Sequence, residues 1–361
     1  MRFSDVIGLA PVKEHLQNAL RRDNISHAYL FEGEAGTGKK MLARTFAQSI
    51  QCTGKAQGES EPCGTCRACI QVQNGTHPDV KEITSERLTV IGVEDVRKQV
   101  VEDAFLMPYA GTRKVYVIPE AHKLSFAAQN ALLKTLEEPP EYVVILLLTE
   151  NAAAFLPTVL SRVVMLPFQP VADDLIRRYL MEEQKVTDYA AALAVSFARG
   201  NVGRALQLVK SDVFPTRLKR VIALFSEIDA LRIHQVNERL EGVLEVPEEA
   251  LLPPGEGKET AEEKRRREKK LQRAALFETL EIISALLRDL LVYKATADPK
   301  LLIFTGEMSY ISKACEALSY EDLGKLFKEL EALRQQLHAN VNALIALQMF
   351  LLQIQERIQY S

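Results

Sequence analysis

The sequence has 361 residues, 47% hydrophobic and 26% charged, with a formal net charge of −3. That length holds two or three domains and a sizeable core, and the composition is that of a globular chain rather than a disordered one. The near-neutral balance excludes a global electrostatic hold on nucleic acid, so any such contact must come from a local patch.

Met1 to Ala10 carries neither the basic nor the apolar region of a signal peptide. The longest purely apolar stretch near the middle, Val143 to Leu148, is far too short to cross a bilayer. A cytoplasmic protein with no membrane contact is expected. Residues 11–22 have helical spacing, with Pro11 in the first turn. Ala28 to Phe31 reads as an apolar strand that runs into a glycine-rich turn, Gly33 to Lys39, and then into an amphipathic helix over 40–51. The spacing G-x-x-x-x-G-K, with Gly36 inside it, is that of a phosphate-binding loop. Gly33, Gly36 and Gly38 let backbone N–H groups curl around an anion, Lys39 adds a charge, and the helix N-terminus adds its dipole. The next position normally holds Mg²⁺ through Ser or Thr; here it is Lys40. Lys40 either binds a phosphate or fills the magnesium space with its own charge.

Cys52, Cys63, Cys66 and Cys69 follow, spaced C-x10-C-x2-C-x2-C. In a chain without an export signal this reads as a metal site rather than disulfides. Four thiolates can close a tetrahedron around a structural Zn²⁺ with no position left for water. An iron–sulfur cluster and unrelated buried cysteines are the alternatives. Cys315 stands alone on an apolar helix and reads as core. His27 has no metal-ligand partner in the sequence and reads as structural.

Asp79 to Ile83 is expected as a strand, Val93 to Phe105 as a helix, Lys114 to Ile118 as a strand, Ser125 to Glu138 as a helix stopped by Pro139-Pro140, and Val143 to Leu148 as a strand. Short apolar strands alternating with helices imply a parallel sheet covered on both faces. Residues 171–183, 187–199 and 201–210 read as three short helices, and everything beyond 211 as helical, with 271–294 and 320–358 long enough to form a bundle. An exposed loop is expected at 246–263. The basic run Lys264 to Lys270 fits either a DNA contact or, with Glu262, Glu263 and Glu268 beside it, a solvated helix laced by i,i+4 pairs.

Three further stretches complete a pattern: Gly111 to Ser125 with Pro119-Glu120, Asn130 to Pro140, and Leu160-Ser161-Arg162-Val163. Together with the phosphate loop and the cysteines, they make the chain resemble the bacterial clamp-loader family, and within it the delta-prime type. This is the AAA+ branch that opens the ring-shaped sliding clamp of DNA polymerase III. The resemblance carries specific motifs over residues 1 to about 210, and only length and helical character beyond. It implies a parallel-sheet P-loop (AAA+) domain with a zinc insert (1–167), a helical lid (168–210) and an all-α collar that holds an oligomer together (211–361).

Hydrolysing members carry Asp-Glu where this chain has Pro119-Glu120, so a second magnesium support is missing. The resemblance further implies that Arg162 is an arginine finger acting in trans on a neighbour's ATP, that Thr149 is a polar sensor, and that Arg204 is a second sensor reaching phosphates from the lid. Expected partners are clamp-loader ATPase subunits, the delta subunit, and through them the sliding clamp and primed DNA. Two rival readings stay open: an active ATPase motor subunit of the same complex, and a zinc-bearing DNA-binding protein outside replication.

Overall fold

The structure, a computed structural model, describes residues 1–56, 58–84, 90–247, 261–338 and 343–359. The chain divides into two compact units, one of Met1–Ala191 with Ala198–Leu206, the other of Ala192–Phe197 with Gln207–Ser361.

In the first unit, helix α1 (Ala10–Arg21) precedes β1 (Ala28–Glu32), α2 (Lys39–Gln51), α3 (Arg67–Gln73) and β2 (Val80–Glu82). Then come α4 (Val93–Val96), a π-helical turn (Arg97–Val101), α5 (Glu102–Ala104), β3 (Lys114–Ile118), α6 (Phe126–Glu137), β4 (Val143–Thr149), α7 (Pro157–Leu160) and β5 (Val164–Pro167). The strands form one parallel sheet in the order β2-β3-β4-β1-β5. Alternation along each strand divides the core into two layers. Tyr29, Phe31, Val115, Val117, Leu146 and Leu148 face one side, and Leu30, Tyr116, Ile118, Ile145 and Leu147 face the other. The central β3 and β4 are buried throughout, as a sheet covered on both faces requires.

Register places Glu32 opposite Thr149 and Ile118 opposite Leu147, so the carboxyl ends of β1, β3 and β4 lie side by side. The turns that leave those ends carry Gly33, Pro119 and Glu150. That edge is where ligands bind in open α/β sheets. β5 went unread in the sequence because it is short and buries only Leu166. The expected helix over 93–105 is present but interrupted: Glu102 N–H bonds to Arg97 C=O, five residues back, which makes the π turn.

After α5, Phe105, Leu106, Met107 and Tyr109 are all exposed. The buried carboxylate of Asp79 holds this stretch in place by accepting N–H bonds from Tyr109 (2.7 Å), Ala110 (2.7 Å) and Gly111 (2.8 Å). Helices α8 (Asp173–Glu182), α9 (Asp188–Ala198) and α10 (Val202–Lys210) match the three short helices expected.

The second unit is helical: α11 (Val213–Glu227), α12 (Ile233–Leu244), α13 (Ala261–Thr296), α14 (Met308–Ala317), α15 (Tyr320–His338) and α16 (Ala343–Gln359). One apolar core joins them, including Phe225, Leu286, Phe304 and Leu326. α13 begins at Ala261, ten residues before the expected start, so the end of the expected loop over 246–263 is helical; 248–260 lie outside the described residues. Its buried positions start only at Ala275, leaving the basic run 264–270 on the outlying part of the helix, where Lys264 lies 4.0 Å from Glu268. The expected helix over 320–358 is described as two, α15 and α16.

Candidate functional site

The phosphate loop leaves β1 and enters α2 as the spacing requires. Gly36 and Gly38 take φ values of 83° and 90°, in the left-handed region that glycine adopts without strain. A Cβ on Gly33 would lie 2.8 Å from both the Phe168 Cβ and the Phe168 carbonyl oxygen, so that glycine is demanded by packing. Lys39 is buried, and its ammonium donates to the loop's own carbonyls, Gly33 C=O and Glu34 C=O (2.7 Å). Burial lowers the Lys39 pKa, against the pull of Glu150 and Glu34.

Lys40 points elsewhere. Its ammonium pairs with one oxygen of Glu82, at the end of β2, while Arg44 takes the other at 2.7 Å. Burial pushes the Glu82 carboxyl up, but the two cations outweigh it and hold its pKa below the ordinary value. A cavity of about 650 Å³ opens beside the loop, lined among others by Gly36, Lys39, Lys40, Glu82, Pro119 and Glu150. Pro119 offers no carboxylate, and Glu120 pairs with Lys123 at 2.7 Å.

Two other expected site residues are absent from the described residues that line this cavity. Thr149 is fully buried, and its hydroxyl is occupied by Asn151, donating to the carbonyl (3.0 Å) and accepting from the N–H (3.1 Å). Arg204 lies in the first turn of α10, where its N–H donates to the Asn201 side chain (3.0 Å). α10 sets Gly203 against the phosphate loop: Gly203 N–H donates to Gly36 C=O (2.9 Å), and Asn201 Nδ2 donates to Ala35 C=O (2.6 Å). A Cβ on Gly203 would come within 2.7 Å of the Gly36 oxygen. Asn201, Gly203, Glu82 and Arg44 were missed in the sequence. Only Asn201, a helix-capping residue type just before an amphipathic run, carried a signal there.

Arg162 follows α7. Its guanidinium reaches Glu137 Oε1 (2.9 Å), at the end of α6, and donates to Thr158 C=O (2.9 Å) and Ser161 Oγ (3.1 Å), with about 35% of the side chain exposed.

The four cysteines form a second site. Cys52 ends α2, Cys66 caps α3, and all four Sγ atoms lie within 4.8 Å of one another. A tetrahedron with metal–sulfur bonds of about 2.3 Å has sulfur–sulfur edges of about 3.8 Å, and Cys63 Sγ to Cys69 Sγ is 3.9 Å. The backbone N–H groups of Cys63, Cys66 and Cys69 donate to Cys52, Cys63 and Cys66 sulfurs at 3.3, 3.3 and 3.4 Å. Burial pushes the Cys66 thiol up, but hydrogen bonds from Cys69 and Thr53 bring it down to about 5, while burial pushes Cys69 up. Four thiolates this close repel one another, so ionising all of them needs a cation in their midst. A Cβ on Gly54 would lie 2.9 Å from Cys63 Sγ, and Gly64 turns the chain with φ 75°. The donor set fits a metal ion held by four sulfurs.

Two family profiles match the chain: “DNA polymerase III, delta subunit” over residues 8–172 and “DNA polymerase III, delta subunit, C terminal” over 268–356. Together they span more than half of it. The chain is 34% identical over 224 residues to DNA polymerase III subunit delta′ of Bacillus subtilis, covering 62% of this chain and 66% of that protein. It is 37% identical over 217 residues to subunit tau of the same organism, covering 59% and 38%. The chain thus spans just under two thirds of the first relative's length and well under half of the second's. A solved structure of a DNA polymerase III gamma subunit-related protein from Thermotoga maritima aligns over 96% of this chain and 99% of its own, at 20% identity and a TM-score of 0.48. By its matched profiles and these relatives, the chain belongs to the delta′/gamma/tau family of DNA polymerase III subunits.

Proposed function

We propose that this chain is a delta′-type subunit of a DNA polymerase III clamp loader that does not turn over ATP itself and lends Arg162 to a neighbour that does. The reading rests above all on what stands in the metal's place. Lys40 is engaged with Glu82, and Pro119 offers no ligand, so neither group that would hold Mg²⁺ is present. Phosphoryl transfer depends on metal and positioning more than on covalent chemistry, so a cradle without metal ligands binds without hydrolysing. The loop itself keeps the glycine conformations and the lysine that hold a phosphate.

Arg162 supplies the other half. A planar guanidinium neutralises charge spread over transferred phosphoryl oxygens, and Arg162 rests on partly exposed partners that it can exchange. Residues 168–210 serve as the lid and 211–361 as the collar. The partners are the ATPase and delta subunits, and through them the sliding clamp and primed DNA, in the cytoplasm. The four cysteines hold a structural Zn²⁺ that orders the insert. Arg204 and Thr149 support the nucleotide site from the lid and from the end of β4.

Two measurements test this reading. The purified chain should show no Mg²⁺-dependent ATP turnover above that of a Lys39→Ala control. In the reconstituted complex, Arg162→Ala should lower DNA-stimulated ATPase by about tenfold or more while subunits still co-elute, given that arginine fingers contribute on the order of 10³–10⁵ in rate. The tau similarity favours a second reading, an ATP-hydrolysing motor subunit. Brisk turnover by the isolated chain that Lys39→Ala abolishes would establish that reading instead.

A further inference from the structure

Glu82 has two cationic partners, and they differ in what they can do. Arg44 projects from the second turn of α2 and holds one carboxylate oxygen at 2.7 Å. Lys40 projects from the first turn, beside Lys39 and on the cavity wall, and holds the other. The Lys40 side chain is 48% exposed, and a pair this open is weak and exchangeable. If Lys40 leaves, Glu82 still has Arg44, so no carboxylate is stranded without a counter-charge. The arrangement frees one mobile cation at the mouth of the phosphate loop without leaving an unpaired acid behind.

Among the described residues, the two positions that would hold a divalent ion offer it no ligand: Lys40 replaces the hydroxyl and Pro119 gives no carboxylate, while Glu120, on the same wall as Glu150, is engaged with Lys123. Any cation a few ångströms from the Lys40 ammonium meets direct repulsion.

We propose that the cradle takes a metal-free polyphosphate, either a nucleoside di- or triphosphate or pyrophosphate, with Lys40 swinging from Glu82 to the phosphate and supplying the charge that Mg²⁺ supplies elsewhere. This rests on the reading above that the loop still binds phosphate, and adds which form of the ligand it selects.

The test is calorimetric titration of the full chain with ATP, ADP and pyrophosphate, in magnesium-depleted buffer without chelator, so that metal on the cysteines is undisturbed. Binding is expected without Mg²⁺, and added Mg²⁺ should leave it unchanged or weaken it. Comparing pyrophosphate with ADP and ATP separates a bare phosphate site from a nucleotide site. Lys40→Thr should weaken metal-free binding by about tenfold, the scale of one charge-assisted contact, and should make affinity rise with Mg²⁺. Arg44→Ala should also weaken binding, because Glu82 then retains Lys40. Adding Glu82→Gln to Arg44→Ala should restore it, an effect that mere loss of structure would not produce. Wild-type binding that appears only with Mg²⁺ would leave the phosphate cradle standing and overturn the Lys40 inference. So would a Lys40→Thr chain that binds as well as wild type without Mg²⁺. No binding of any of the three ligands under either condition would overturn the cradle itself, and the inference with it.

Discussion

One helix, α2, has a candidate site at each end, and the two differ in completeness. At its C-terminus Cys52 joins three further thiols in a set that needs only an ion. At its N-terminus the loop has its glycines and its lysine, but Lys40 and Pro119 stand where the proposed reading expects metal-holding groups. The cysteine site draws its donors from eighteen consecutive residues, Cys52 to Cys69, and geometry follows from local turns. The phosphate site collects residues from the ends of four elements and the start of α10, so any one can change while the fold persists. Local completeness and distributed loss are what the structural site and the non-hydrolysing site proposed above should look like.

The sharpest way to break the comparison is at the cysteines. Cys66→Ser should take bound metal from one equivalent per chain to none by elemental analysis, and should cost on the order of 3 kcal/mol or more in denaturant unfolding. A wild-type chain that holds no metal would erase the contrast. The effect should spread to the N-terminus, because Glu61 of the insert accepts from Phe3 N–H (2.9 Å) and from Gln17 Nε2 (3.3 Å).

A second variant probes the strand that brings Glu82 to the other site. Asp79→Asn should cost on the order of 2–3 kcal/mol, since three N–H groups lose a charged acceptor. Burial raises the Asp79 pKa, but those three donors outweigh it and the net is a value below the ordinary 3.8. A carboxyl depressed on folding contributes stability above its unfolded pKa, and that contribution is lost as pH falls through the folded value. The gap between wild type and variant should therefore hold from neutral pH to about 4 and shrink below it, as unfolding curves against pH will show.

The smallest effect belongs to the lid contact. Gly203→Ala should cost about 1–2 kcal/mol through the clash with the Gly36 carbonyl. It should speed exchange of the amide at position 203, which donates to Gly36 C=O, while leaving metal content at the cysteines untouched. Loss of metal in this variant would mean that the two ends of α2 are not independent.

Much of the first unit was legible because its signals are local. The four strands Ala28–Phe31, 79–83, 114–118 and 143–148 were located to within a residue at each end, since apolar runs between turn residues admit few other readings. The cysteines were legible from spacing alone. β5 was not, because a short edge strand with one buried residue has no periodicity to detect. Glu82 and Arg44 were not, because Glu82 lies 42 residues from Lys40 and 38 from Arg44 and reaches them only through the sheet. Nor could sequence tell that Gly203 meets the loop. One position along a helix turns the side chain by a quarter of a circle, and boundaries drawn from sequence are no finer than that.

The four apolar side chains after α5 have a practical consequence. Met107 and Tyr109 are 74% and 89% exposed, and the backbone from Tyr109 on is held by Asp79 rather than by packing of these side chains. Their identity is therefore uncoupled from the fold. Polar replacements there offer a handle on the solubility of the purified chain that leaves both ends of α2 alone.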